Sequence, residues 1–197
     1  MKPSLLVPVA AALLGLSGCA TPVGPVEVTR FNDPAALQRI GRTAIAVEAV
    51  PGVPYDSLEL RTYQAAVGRE LIKLGYTEVA AGSGSLVAQV RVEKSVAQPM
   101  RRGPVSVGVG GGTGGYGSGV GVGIGLDLSG RPPEEVTTQM QVMIRERTSN
   151  AVVWEGRANF TVRANAPLAQ APLGAAKMAE ALFSGFPGKS GETIVVK

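Results

Sequence analysis

A lone cysteine at position 19 is the residue best placed to do chemistry in this chain, and its neighbours indicate which kind. It closes the string Leu16-Ser17-Gly18-Cys19, which follows an apolar run from Leu5 and a positive charge at Lys2. Ser17 and Gly18 are the small residues that a signal peptidase groove accepts. The run is shorter than the roughly 20 apolar residues that cross a bilayer, so it reads as an export leader and not as a membrane helix. Leu16, Ser17 and Gly18 also match the lipobox that directs cleavage before a cysteine whose sulfur then carries a diacylglycerol. Cys19 is therefore the expected lipid attachment site. An acylated sulfur is lost as a nucleophile, and one cysteine forms no intrachain disulfide.

Little else in the sequence advertises catalysis. The chain has no histidine, which removes Ser-His-Asp and Cys-His mechanisms and the commonest zinc ligand together. Glu134-Glu135 is the one adjacent carboxylate pair. Sequence neighbours do not face each other on a helix or strand, and Pro132-Pro133 ahead of them reads as an exposed turn. Asp127, beside the glycines, is a single carboxylate and makes no cation site by itself. Trp154, the sole tryptophan, reads most simply as a core residue on a strand. The expected catalytic, metal and cofactor sets are all empty, and the expected protein is not an enzyme.

Removing residues 1–18 leaves roughly 180 residues, enough for one domain with its own core. A formal charge of +4 is spread along the chain, with no basic stripe interleaved with aromatics. That pattern and the leader argue against a nucleic-acid partner. Two or more acyl chains hold a protein stably at a bilayer. Ala20, in place of an inner-membrane retention aspartate, points to the periplasmic face of the outer membrane.

Residues 19–30, with Pro22, Gly24 and Pro25, read as a lipidated flexible tether. Asp33-Pro34 then gives an N-cap and a proline at the first helical position, for a short turn through Ile40. Thr43, Ile45, Val47 and Ala49 alternate as a strand. Asp56 or Ser57 can cap a helix whose apolar face is Leu60, Tyr63, Val67, Leu71 and Leu74, with Gly75 to stop it. Leu86 to Val92 and Val136 to Ile144 alternate as half-buried strands. The latter should pair with a strand running from Val152 to Val162, across the turn cluster Thr148-Ser149-Asn150. A last helix is expected from about Leu173 to Ser184, facing inward through Met178, Leu182 and Phe183, before an edge strand at Ile194 to Val196.

Residues 103–130 hold nearly half of the chain's 27 glycines. Val105, Val107 and Val109 alternate with small residues, as do Val120, Val122, Ile124, Leu126 and Leu128. Alternation on both arms argues for a hairpin with an aliphatic face and a nearly bare one, reversing within 110–119. A phosphate-loop reading fails, because no GK[ST] pattern or following helix accompanies the glycines. The expected fold is α+β. It is a single domain over 31–197, with a largely antiparallel sheet packed by two main helices and a glycine-rich β-hairpin insertion.

Several short strings, in their order and spacing, carry a resemblance. Glu70-Leu71 runs into Leu74-Gly75-Tyr76, and the Leu86-Val87-Ala88-Gln89-Val90 strand follows. Val153-Trp154-Glu155-Gly156 supplies a Trp-x-Gly after a turn, and Ala181-Leu182-Phe183 precedes Phe186-Pro187-Gly188. From about residue 26 to 190 the chain resembles the bacterial lipoproteins grouped as domain of unknown function 4136. It departs at Ser85, where an aspartate is common, and in its long, regular glycine segment. The resemblance implies an α+β domain on a lipid tether, with no catalytic residues. Two functions fit. One is a non-catalytic envelope protein that binds or scaffolds a protein partner at the outer membrane, offering a strand edge at Thr193 to Val196 or Val120 to Leu128. The other is a carrier holding an apolar small molecule among residues such as Met140, Val142, Trp154 and Phe183.

Overall fold

Among the described residues, a strand falls within the expected tether. In the computed structural model, which describes residues 24–52, 57–97, 105–111, 120–126 and 133–197, strand β1 spans Val26–Asn32. Val26 and Val28 are fully buried, while Glu27 is exposed and Thr29 half-buried. This corrects the boundary placed at residue 30. Period-two burial starts directly after Pro25, and the Pro22–Pro25 punctuation masked it. The lipobox residues Leu16 to Cys19 lie outside the described residues, as do Asp56, Asp127 and the reversal at 112–119.

A short helix α1 (Pro34–Ile40) follows, capped by the Asp33 carboxylate, which accepts from the Ala36 amide at 3.0 Å. Strand β2 (Ala44–Ala49) leads to helix α2 (Leu58–Lys73). The Ser57 hydroxyl caps α2, and Gly75, with φ of 91°, ends it in a left-handed conformation that favours glycine. Leu60, Tyr63, Val67 and Leu71 form the buried stripe of α2, each contributing about 1.5–3 kcal/mol by leaving water. Strands β3 (Thr77–Val79) and β4 (Leu86–Ala97) come next, then β5 (Val105–Gly111), β6 (Val120–Leu126), β7 (Glu135–Glu146) and β8 (Val152–Arg163). Helix α3 (Ala171–Phe183) and strand β9 (Glu192–Val196) complete the chain.

Seven strands form one sheet in the order β3-β2-β4-β7-β8-β1-β9. The sheet is mixed. β2 pairs in parallel with both β3 and β4, whereas β4, β7, β8, β1 and β9 pair antiparallel. The parallel part follows from α2, because a strand that returns through a helix must re-enter in the same direction. β7 and β8 pair as read from the sequence, with an irregularity at Ile144/Arg145 beside the turn. β5 and β6 form a separate antiparallel pair, with Val105 opposite Leu126 and Gly108 opposite Gly123.

The α2 and α3 helices pack on each other and on one face of the seven-stranded sheet. Val26, Val28, Ala88, Val90, Met140, Val142, Ala158 and Phe160 supply that face, with Met178, Leu182 and Phe183 above them. Gly156 leaves room for α3 and the indole, since a Cβ there would run into the Trp154 ring and lie 2.7 Å from Leu182 Cδ1.

Candidate functional site

Three surfaces and one buried cluster hold the residues that could do something other than fill space. The cluster is aromatic. Trp154 is fully buried and stacks on Phe183 at 5.2 Å between ring centroids, with Phe186 tilted against it at 5.3 Å. Its Nε1 donates to the Pro187 carbonyl at 3.0 Å, so its one polar atom is satisfied. Met140, Val142, Trp154 and Phe183, named above as a possible ligand lining, all belong to this continuous core. Beside the cluster, a groove of about 480 Å³ runs between α1 and the Phe186 segment, lined by Leu37, Arg42, Tyr76 and Phe186 among others.

Arg30 sits in the same region and was not singled out by sequence reasoning. It projects from β1 onto the helix-covered side, only 5 % exposed. Its Nε donates to the Leu182 carbonyl and its Nη2 to the Ala181 carbonyl, both at 2.9 Å. These carbonyls belong to the last turn of α3, which has no intrahelical partners for them and carries the negative end of the helix dipole. Burial lowers the Arg30 pKa, and the charge of Glu192 opposes that shift. A guanidinium nonetheless stays protonated in a protein.

The uncovered sheet face is a polar lattice. Thr137 and Thr161 hydroxyls meet at 2.9 Å, Gln139 donates to Asn159 at 3.0 Å, and Gln141 donates to Glu155 at 2.9 Å. Arg91 and Arg157 border a hollow of about 170 Å³ with Glu93, Gln139 and Gln141. Each arginine is locally neutralised: Arg91 Nε donates to Glu93 and Arg157 Nε to Glu155, both at 2.8 Å. The Thr137–Thr161, Gln139–Asn159 and Gln141–Glu155 pairs cross between β7 and β8, as a solvated antiparallel face requires, whereas the two arginine pairs lie within one strand. Among the described residues no group of three or more acidic or cysteine side chains is placed to hold a metal. Glu134 and Glu135 are both exposed, with Glu135 opening β7.

At the far corner of this face Glu48 accepts from the Gly82 amide at 2.9 Å and from Arg147 Nη2 at 2.7 Å. Burial pushes its carboxyl up, but the Gly82 amide and Arg147 outweigh that and hold its pKa below the ordinary value. A carboxylate with a depressed folded pKa contributes stability above its unfolded pKa and loses it as pH falls through the folded one. Glu48→Gln is therefore expected to cost about 1 kcal/mol at neutral pH. The difference from the parent should shrink as the pH falls through the lowered folded-state pKa. Urea midpoints across an acid titration check it, and a pH-independent difference would contradict it.

The third surface is an edge. β9 closes the sheet on one side, and Val195 on it is 61 % exposed. Only β1 pairs with it among the described residues.

With this geometry in view, the chain can be compared with known proteins. The model of the family described as Domain of unknown function (DUF4136) matches residues 45–188. The chain belongs to that family. The DUF4136 match runs from β2 to the segment after α3, so β1 and its Arg30 lie outside it. An uncharacterized protein of Zymomonas mobilis subsp. mobilis is 33% identical over 63 residues, 32% of this chain; the chain spans about a quarter of that relative's length (24%). Among solved structures, a PDZ domain protein from Parabacteroides distasonis is similar over 88% of this chain and 39% of its own, at 14% identity and a TM-score of 0.49. PelC from Paraburkholderia phytofirmans, a dodecamer, is similar over 84% and 99%, at 11% identity and a TM-score of 0.46.

Proposed function

We propose that this DUF4136 protein is a non-catalytic, lipid-anchored component of the bacterial envelope, held at the periplasmic face of the outer membrane by acyl chains on Cys19. Its domain binds or scaffolds an envelope protein. In this reading α2 and α3 are the main packing helices, and residues 103–130 form a glycine-rich hairpin inserted between β4 and β7. The observation that carries the binding role is β9, a five-residue edge strand with an exposed valine and no further strand beside it among the described residues. An open edge offers a row of backbone donors and acceptors to an incoming strand. The carrier reading draws no support from Met140, Val142, Trp154 and Phe183, which are spent on packing one another's neighbourhood.

Crosslinking the lipidated protein in its native envelope, followed by identification of what co-purifies, tests the scaffold. Recovery of lipid and peptidoglycan alone would count against it. Val195→Lys adds an edge charge of the kind that blocks strand addition. It should abolish recovery of the protein partner while leaving stability within about 0.5 kcal/mol of the parent. Undiminished recovery would remove β9 as the docking edge.

A further inference from the structure

The groove beside the aromatic cluster is walled by three parts of the chain that meet only in the fold. α1 and the turn after it supply Pro34, Leu37 and Arg42, the turn after α2 supplies Tyr76, and the segment after α3 supplies Phe186 and Pro187. Each wall is fixed from behind. The Phe186 ring meets Trp154 at 5.3 Å and stands edge-on to Tyr76, 6.3 Å between centroids. The Pro187 carbonyl accepts from the Trp154 indole at 3.0 Å. α1 is tied to β8 where the Asp33 amide donates to the Val153 carbonyl at 3.0 Å. The Thr77 amide donates to the Thr43 carbonyl at 3.3 Å, which holds the turn of Tyr76 against that of Arg42.

The lining is apolar with one charge. Leu37, Phe186 and Pro187 are half-buried, so each keeps apolar surface uncovered, and Tyr76 is buried. Arg42 is exposed, and no ion pair joins it to a carboxylate among the described residues. In that it differs from Arg91, Arg147 and Arg157, each of which lies on a glutamate. Its stem crosses Gly75, where an added Cβ would come within 3.2 Å of Arg42 Cδ. Burial raises the Tyr76 pKa and the Arg42 charge opposes the rise, so the field of the guanidinium reaches the buried ring. A volume of about 480 Å³ falls within the range of small-molecule sites, which are likewise mostly apolar with a few placed polar groups.

We propose that this groove binds a small molecule with an apolar body and one carboxylate, its head on Arg42 and its body along Leu37, Tyr76 and Phe186. Size, apolar walls and a spare cation select that class together. An apolar cation would meet Arg42 with like charge, and a neutral apolar molecule would gain the walls without the charge. A polar anion would find a single exposed arginine, which holds little by itself. Walls pinned by Trp154 and by the sheet are already in place, so binding has little ordering to offset. The groove shares no residue with the β9 edge or with the interior set Met140, Val142, Trp154 and Phe183.

Photoaffinity labelling of the full chain, purified in a non-ionic detergent, tests the site. The probes are dodecanoate carrying a diazirine on its chain, the methyl ester of the same molecule, and its trimethylammonium counterpart. The carboxylate should label Leu37 and Phe186, mapped by mass spectrometry, about fivefold more than the ester does, the most that an exposed ion pair supplies. The cation should label them no more than the ester. Arg42→Gln, a surface change that should leave the melting temperature as it is, should bring the carboxylate down to the yield of the ester. Arg39→Gln, on the same helix but outside the groove, should leave the labelling unchanged. Equal labelling by acid and ester, labelling that survives Arg42→Gln, or an equal loss at Arg39→Gln would each overturn the proposal. So would a cation that labels as well as the acid, or adducts confined to other segments. Each of these results leaves the β9 reading where it stands, because the strand edge takes no part in the groove.

Discussion

Trp154→Ala is expected to destabilise the domain by about 3–5 kcal/mol, the range for deleting a large buried aromatic. Three losses combine. The indole leaves a cavity at a fully buried position, the stacking on Phe183 and the contact with Phe186 disappear, and the Pro187 carbonyl loses its 3.0 Å donor. For a domain of this size, that corresponds to a fall in melting temperature of about 6–20 °C. Trp154→Phe separates the contributions. It keeps an aromatic ring against Phe183 and forfeits the indole N–H, so a loss of about 1–2 kcal/mol is expected. Calorimetry and urea titration of both variants read the result. An alanine variant within 1 kcal/mol of the parent would mean that the site collapses without penalty, contrary to the packing described.

Arg30→Met should cost about 3 kcal/mol, because two charge-assisted hydrogen bonds to the end of α3 are lost and the Leu182 and Ala181 carbonyls are left buried. Methionine matches the length of the stem, so the loss reports the guanidinium and not the packing of its carbons. Arg30→Lys should recover only part of the difference, since an ammonium lacks the planar fork that reaches both carbonyls. Local opening gives a second readout. Amide hydrogen exchange in the last turn of α3 should accelerate more than in β4 and β7, which do not pair with β1. The conformation of Gly188 belongs to the same device: its φ is 77°, and a Cβ there would lie 2.8 Å from Arg30 Cδ. An Arg30→Met variant as stable as the parent, with unchanged exchange in α3, would show that the last turn needs no side-chain cap.

How far the fold could be read from residues depended on whether a signal was local. The α2 helix was legible because Leu60, Tyr63, Val67 and Leu71 recur at helical spacing between a serine cap and a stop glycine. The β7–β8 hairpin was legible because alternation on both sides met at one turn cluster. β1 was not, although Val26 and Val28 alternate with polar residues, because two prolines and a glycine just ahead of it spoke for a linker. The largely antiparallel sheet expected from the sequence left out the parallel pairing of β2 with β4, although a helix between two strands is the ordinary signature of a crossover. The candidate surfaces were less legible still. The Arg30 cap has no sequence signal, since it joins side chain and carbonyls across about 150 residues.

The place of β1 also determines how the domain meets mechanical load. It is laced on one side to β8 and on the other to β9, both antiparallel, and it receives the chain from Cys19 at its first residue. A pull on the amino terminus, directed along the strand, acts in shear on both hydrogen-bonded rows together and does not unzip them one rung at a time. With Arg30 of the same strand bonded to the Leu182 and Ala181 carbonyls, such a pull would load the last turn of α3 together with the sheet.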